Sequence, residues 1–194
     1  MPMAHRLVCI TGLVGAGKSV VSDYFVSRGH YLFFRFGQLV LDEVKNRGLP
    51  PSEALERHIR EEIRHKYGMA AMATLNLDQL DRLLRQDNVI ADGLYSFEEY
   101  QVLKHHFGHQ LVVIAVYAPP PLRYLRVSRR KSGPEDVNLR HRNIPAAAAA
   151  QRDLAELTNL NKGATIAMAD FTLVNTRTLP YLYRQIRDVI SRLP

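Results

Sequence analysis

Apolar residues along this chain gather in short continuous runs, and between those runs they recur every three or four positions. The runs are Leu7-Val8-Cys9-Ile10-Thr11, Tyr31-Leu32-Phe33-Phe34, Val89-Ile90-Ala91, Leu111 to Tyr117 and Phe171 to Val174. Continuous rather than alternating apolarity predicts strands covered on both faces. In the gaps, Leu55, Ile59, Ile63 and Tyr67 repeat at helical spacing, as do Leu182, Ile186 and Val189/Ile190 within Tyr181 to Leu193. Asn76 with Gln79, and Ser96 with Glu99, have the spacing of capping boxes that start helices. Pro145, ahead of five alanines and Gln151-Arg152-Asp153-Leu154, predicts a Pro-led helix start. Strand and helix thus alternate, which predicts an α/β fold with a mainly parallel sheet and helices on both faces.

Composition narrows this picture. The 194 residues are 46% hydrophobic and 23% charged, the usage of an ordinary globular protein, and suit a single domain over 1–194. One cysteine excludes an internal disulfide framework, and Cys9, inside the first run, reads as a buried core thiol. Met1 to Arg6 lacks a leader pattern, and no apolar run nears the roughly 20 residues that span a bilayer, so a cytoplasmic protein with no membrane partner is expected. The histidines show one adjacent pair, His105-His106, which a helix would splay by about 100°, so no metal role is expected of them. The net charge is +7, with 20 Arg among the 26 basic residues. The guanidinium fork grips phosphate oxygens in pairs, so the excess points to a phosphate-bearing partner, nucleotide or nucleic acid.

One motif decides what kind of phosphate is handled. Gly12-Leu13-Val14-Gly15-Ala16-Gly17-Lys18-Ser19 reads G-x-x-x-x-G-K-S, with a strand before it and helix-like Val20-Val21-Ser22-Asp23 after it. Glycines let the backbone wrap a phosphate with its N–H groups inward, and the following helix presents its positive end to the same anion. Gly12, Val14, Gly15, Ala16, Gly17, Lys18, Ser19 and Val20 are therefore the expected nucleotide-binding residues. Lys18 would charge-neutralise the β- and γ-phosphates, and Ser19 would offer its hydroxyl to Mg²⁺. Asp92 closes the third run in Val89-Ile90-Ala91-Asp92-Gly93, where a carboxylate beside the loop faces either the metal or the attacking oxygen. ATP and Mg²⁺ are the expected ligands.

Eight basic residues fall between Arg123 and Arg152, against Glu135 and Asp136. A lid over the transferring phosphate is expected there, with Arg126, Arg130 and Arg152 as the candidate catalytic arginines. Arg126 and Arg130 are four apart and would share a helix face. Arg152-Asp153-x-x-Glu156 has the spacing of an internal charge clamp. The stretches Leu49–Ala73 and Arg129–Asp153 are the candidate insertions.

With these residues in hand, the chain resembles the small P-loop kinases of the nucleotide and nucleoside kinase group, and within it the dephospho-coenzyme A kinase-like proteins. The likeness runs through Phe36-Gly37, Arg60 and Gly68, Asp92-Gly93 with Ser96 and Glu99, and Ala118-Pro119-Pro120 with Arg123. It continues through Arg152-Asp153-x-x-Glu156 to Ala169-Asp170 and Asn175. It implies the three-layer P-loop fold: five parallel strands in the order 2-3-1-4-5, an acceptor-binding insertion at about 37–75, and a helical lid at about 123–153. It further implies that Asn175 lies near the adenine base, and that Gln38, Arg60, Gly93 and Tyr95 lie near the acceptor. Two departures stand out. Gln38 occupies the region where dephospho-coenzyme A kinases carry an Asp that serves the acceptor hydroxyl, with Asp42 one turn further on. Asp92-Gly93-Leu94-Tyr95-Ser96 lacks the arginine of the Asp-Gly-Phe-Pro-Arg string of nucleoside monophosphate kinases.

The reading ranked first is a phosphotransferase that moves the γ-phosphoryl of Mg-ATP to a small nucleotide-like or coenzyme-like acceptor. Behind it stand a nucleic-acid-directed kinase, weakened because Tyr124 is the lone aromatic inside the basic stretch, and a P-loop ATPase or switch. Asn161-Lys162-Gly163-Ala164 lacks the Asp that guanine recognition needs. The sequence leaves the oligomeric state open.

Overall fold

The computed structural model describes residues 5–50, 52–130 and 143–193. Five strands form one parallel sheet in the order β2-β3-β1-β4-β5. They are β1 (Leu7–Thr11), β2 (Leu32–Arg35), β3 (Val89–Asp92), β4 (Leu111–Tyr117) and β5 (Phe171–Val174). The central strands are apolar throughout because alternate side chains enter different cores. Leu7, Cys9, Val89, Ala91, Leu111 and Val113 pack on one face. Val8, Ile10, Ile90, Val112, Ile114, Val116 and Leu173 pack on the other. Cys9 is fully buried, and that burial pushes its thiol pKa up.

Helices α1 (Lys18–Gly29) and α10 (Leu179–Arg192) cover the second face. The first is covered by α2 (Gln38–Asn46), α3 (Glu53–Tyr67), α4 (Ala71–Thr74), α5 (Leu77–Leu84) and α6 (Phe97–Phe107). In α3 the row Ile59 and Ile63 turns to the core, while Tyr67, expected in the same row, lies exposed in the last turn. Next to that apolar row runs a polar one, Glu56-Arg60-Arg64, at four-residue spacing. Two arginines thereby stand beside the core-facing row of α3.

Ser96 and Glu99 form the expected capping box at the start of α6. Asn76 precedes α5, but its side chain caps nothing there: Nδ2 donates instead to Met72 O at 2.7 Å, one turn back. Backbone of the preceding turn was nearer than the helix it was expected to cap.

Three further α-helices, α7 (Pro120–Ser128), α8 (Ala146–Asn159) and α9 (Lys162–Ala167), and one 3₁₀ turn at Gly108–Gln110 complete the described chain. The middle of the expected lid, 131–142, with Lys131, Arg140 and Arg142, lies outside the described residues. What is described of that stretch is the two helices on either side of it, α7 and α8, packed on each other.

Candidate active site

The loop between β1 and α1 is held open by its glycines. Gly15 and Gly17 adopt φ values of +77° and +107°, which L-residues with a Cβ rarely enter. A Cβ on Gly15 would stand 2.5 Å from Arg123 O, and one on Gly17 would overlap Asn175 Nδ2. Asn175, just after β5, donates from Nδ2 to Ala16 O at 2.8 Å and thus ties the last strand to the loop. The buried Arg123 of α7 ties it from another side. Its guanidinium donates to Val14 O at 2.8 Å and Ala118 O at 2.8 Å, and pairs with Asp153 of α8 at 2.6 Å. Tyr124 Oη donates to the same Asp153 oxygen at 2.9 Å.

Lys18 begins α1 and folds back over the loop, Nζ donating to Gly12 O at 2.8 Å and Leu13 O at 3.2 Å. Burial first, and the charge of Lys162 second, pull its ammonium down to about 8, against the opposing pull of Asp92 and Glu156. A desolvated ammonium held by two carbonyls gains most from an arriving polyanion.

The cleft over the loop is about 150 Å³ and gathers residues from most elements of the sheet's C-terminal edge. Gly15, Gly17, Lys18 and Ser19 line it from the loop, and Arg130 and Arg152 from the segments around α7 and α8. Asp92, Gly93 and Tyr95 enter from the end of β3, and Arg35, Glu56, Arg60 and Arg64 from β2 and α3. Asp92 Oδ1 is buried with no hydrogen-bond partner among the described residues.

Behind Arg152 sits a buried ionic network. Glu156 accepts from Arg152 Nε at 2.9 Å and from Lys162 Nζ at 2.6 Å. Lys162 is 1% exposed, and its ammonium lies 4.1 Å from the centre of the Tyr95 ring. Arg152 also donates to Tyr95 Oη at 3.4 Å. Burial alone would raise the Glu156 carboxyl, but Lys162, Arg152 and Lys18 outweigh it and hold it at about 2. On the far side, Glu99 accepts from Tyr95 N at 2.9 Å and Ser96 N at 3.3 Å, and faces Arg64 at 3.5 Å. Burial keeps the Glu99 pKa raised despite Arg64.

The structure therefore brings Lys18, Ser19, Asp92, Gly93, Tyr95, Arg60, Arg130 and Arg152 into one cleft. It separates two arginines expected on one face. Helix α7 stops at Ser128, so helical spacing no longer directs Arg130, which turns into the cleft. Arg126 turns to β5 and donates to Asn175 O at 2.9 Å. Gln38 does not line the cleft; it donates to Asp42 Oδ1 at 2.8 Å on an exposed turn of α2. Three contributors were not anticipated. Arg35 is the last residue of β2, in register with Asp92. Arg64 continues the Arg60 row. Lys162 follows Asn161, whose left-handed backbone (φ 47°) turns the chain inward, and the Asn-Lys-Gly string is the signal for that turn.

Residues 8–147 match the model of a family described as AAA domain. A UPF0200 protein of Hyperthermus butylicus is 31% identical over 196 aligned residues, covering 100% of this chain and 98% of that protein. One of Thermococcus onnurineus is 28% identical, covering 96% and 97%. Among solved structures, TT1252 from Thermus thermophilus superposes with a TM-score of 0.64 at 19% identity, covering 98% of each chain. The shikimate kinase of Bacteroides thetaiotaomicron does so with a TM-score of 0.58 at 12% identity, covering 97% and 98%. The sheet order and its helical layers are those of the P-loop kinase fold. The chain belongs to the AAA-domain family and to the UPF0200 proteins within reach of that likeness.

Proposed function

We propose that this AAA-domain protein is a phosphotransferase that moves the γ-phosphoryl group of Mg-ATP to a small nucleotide-like or coenzyme-like acceptor. The observation that carries the reading is the meeting, in one cleft, of the glycine loop with its latched Lys18 and a buried Asp92 oxygen that has no hydrogen-bond partner among the described residues. Fold likeness to a shikimate kinase supports a kinase over a switch.

In this reading the loop amides and the N-terminus of α1 receive the β-phosphate, and Lys18 leaves its two carbonyls for the phosphate oxygens. Ser19 and Asp92 would hold Mg²⁺, a fit supported by the orphaned Asp92 oxygen, which accepts a cation without losing a protein contact. The metal would neutralise charge on the phosphates. Arg130 and Arg152, which line the same cleft, would meet the charge that gathers on the transferring group, the effect that makes such arginines worth about 10³–10⁵ in rate. Asn175 and Arg126, beyond the loop, form the side toward which the nucleoside would extend. Catalysis is then positioning and charge stabilisation, with little covalent work for the protein.

The test is transfer from labelled Mg-ATP across nucleosides, nucleoside monophosphates and dephospho-coenzyme A. A labelled organic product supports the reading; release of inorganic phosphate alone with every acceptor refutes it. Lys18→Ala should weaken ATP binding at least about tenfold, since a charge-assisted contact is worth about 1.5–3 kcal/mol. Calorimetric titration checks this.

A further inference from the structure

The cleft has two walls. One is the phosphate loop with Arg130 and Arg152. The other is built by elements that the loop does not touch: the end of β2 and the polar row of α3. Strand order puts β2 beyond β3, on the opposite side of β1 from β4 and β5, where Asn175 marks the nucleoside side. Three arginines, Arg35, Arg60 and Arg64, line that far wall. In the proposed function the loop receives the donor's phosphates, which leaves this wall for a second anion. Two of these arginines are held by buried carboxylates: Glu56 pairs with Arg60 at 3.8 Å, and Glu99 with Arg64 at 3.5 Å. Arg64 Nε is buried without a hydrogen-bond partner among the described residues.

A hydroxyl acceptor needs a base, because its proton must leave as the new bond forms. Among the described cleft residues the carboxylates are Glu56, Asp92 and Glu156. Glu56 faces Arg60. Glu156 is clamped between Arg152 and Lys162 and holds no affinity for a proton near neutral pH. Asp92 alone remains, and in the proposed function it faces the metal. At the end of β2, in register with Asp92, the chain carries a cation, Arg35, rather than a carboxylate.

From these observations, and resting on the proposed function, we infer that the acceptor is a phosphate monoester, gripped by Arg35, Arg60 and Arg64, and that the attacking atom is an oxygen of that phosphate. The balance is simple. An acceptor phosphate oxygen forms a bond to the γ-phosphorus of ATP while the bond from that phosphorus to the β–γ bridging oxygen breaks. The electron pair stays on the departing β-phosphate of ADP. No proton moves, so no base is required, and the product is a diphosphate. The arginines bring two anions together that would otherwise repel.

Two measurements test this, one of them independent of turnover. Inorganic phosphate is titrated into protein saturated with Mg-ADP. Wild type should bind it, and Arg60→Met and Arg35→Met should each weaken that binding about tenfold or more, with ADP affinity unchanged. Arg60 is partly exposed, so its variant stays informative if Arg64→Met fails to fold. Phosphate binding that is absent, or unchanged in both variants, overturns the inference. In the second measurement the product of Mg-ATP turnover with matched nucleosides and nucleoside 5′-monophosphates is identified by phosphorus NMR. A P–O–P linkage formed only with the monophosphates supports the inference, and phosphorylation of a nucleoside or dephospho-coenzyme A hydroxyl overturns it. If no acceptor is phosphorylated at all, the phosphotransferase reading falls, while the phosphate titration still decides the arginine site.

Discussion

Asn175 shows how much a single residue does here. Its side chain holds Ala16 O and occupies the space that a side chain on Gly17 would need. Gly17→Ala therefore meets both a left-handed backbone and an occupied site. The expected result is a loss of about 1–3 kcal/mol in unfolding free energy together with weaker ATP binding, read by urea denaturation and calorimetry. A variant as stable as wild type that binds ATP normally would contradict the tie. At this scale the loop residues were legible because their task is set by neighbours in sequence: a backbone turn, then a helix N-terminus. Lys162 was not. Its meaning comes from Glu156, one element earlier, and from Tyr95, 67 positions away in the chain. Without those partners it is one lysine among six.

Between residues and the whole fold, α7 and α8 act as one unit through Arg123 and Asp153. Removing Arg123 leaves Asp153 buried without its cation, the situation that costs about 3–5 kcal/mol. Arg123→Met should lower the unfolding midpoint accordingly and loosen the loop that Arg123 holds at Val14 O, so ADP affinity should fall with it. Normal stability in the variant would count against the clamp. Glu156 gives a pH signature. Its folded pKa, about 2, lies below the ordinary 4.5. The stabilisation is therefore complete above pH 4.5 and is lost as pH falls from 4.5 through 2. Glu156→Gln should be less stable at pH 7 by about 3–5 kcal/mol, and its unfolding midpoint should vary less than that of wild type between those pH values. Thermal melts across the acid range decide it, and parallel acid limbs would refute it. The elements themselves were legible from apolar spacing, since burial on a helix or strand face leaves a periodic trace. Their ends were less so. Asn76 turned back to Met72 rather than capping α5, and α7 ended one turn too early to keep Arg126 and Arg130 together. Competition among nearby hydrogen-bond partners settles such ends, and spacing does not record it.

For the molecule as a whole, the cleft draws on the loop after β1, the ends of β2 and β3, and the helices that follow or insert between them, so occupation should brace all of them at once. A ligand at 100 times its dissociation constant adds about 2.7 kcal/mol, which for a chain of this size corresponds to a rise in Tm of about 5–10 °C. Mg-ADP should produce that rise by differential scanning fluorimetry in wild type and a much smaller one in Lys18→Ala; an equal rise in both would detach the ligand from the loop. The basic excess also takes its meaning at this scale. Read along the chain, the arginines from 123 to 152 formed one cluster. Folded, Arg123 is an internal brace, Arg126 turns to β5, and Arg130 and Arg152 reach the cleft, where Arg35, Arg60 and Arg64 join them from elsewhere.

The amino-acid sequence by itself determined the alternation of strands and helices, the phosphate loop with Lys18 and Ser19, and the carboxylate at the end of β3. Each of these depends on residues close together in the chain, so its physics is local. Only the tertiary structure decided that Arg35 stands beside Asp92, that Lys162 and Arg152 share Glu156, that Gln38 stays out of the cleft lining, and that Arg35, Arg60, Arg64, Arg130 and Arg152 line one cleft. Those relations join positions far apart in the chain, and a charge acquires its partner, its burial and its pKa only when the sheet brings them together.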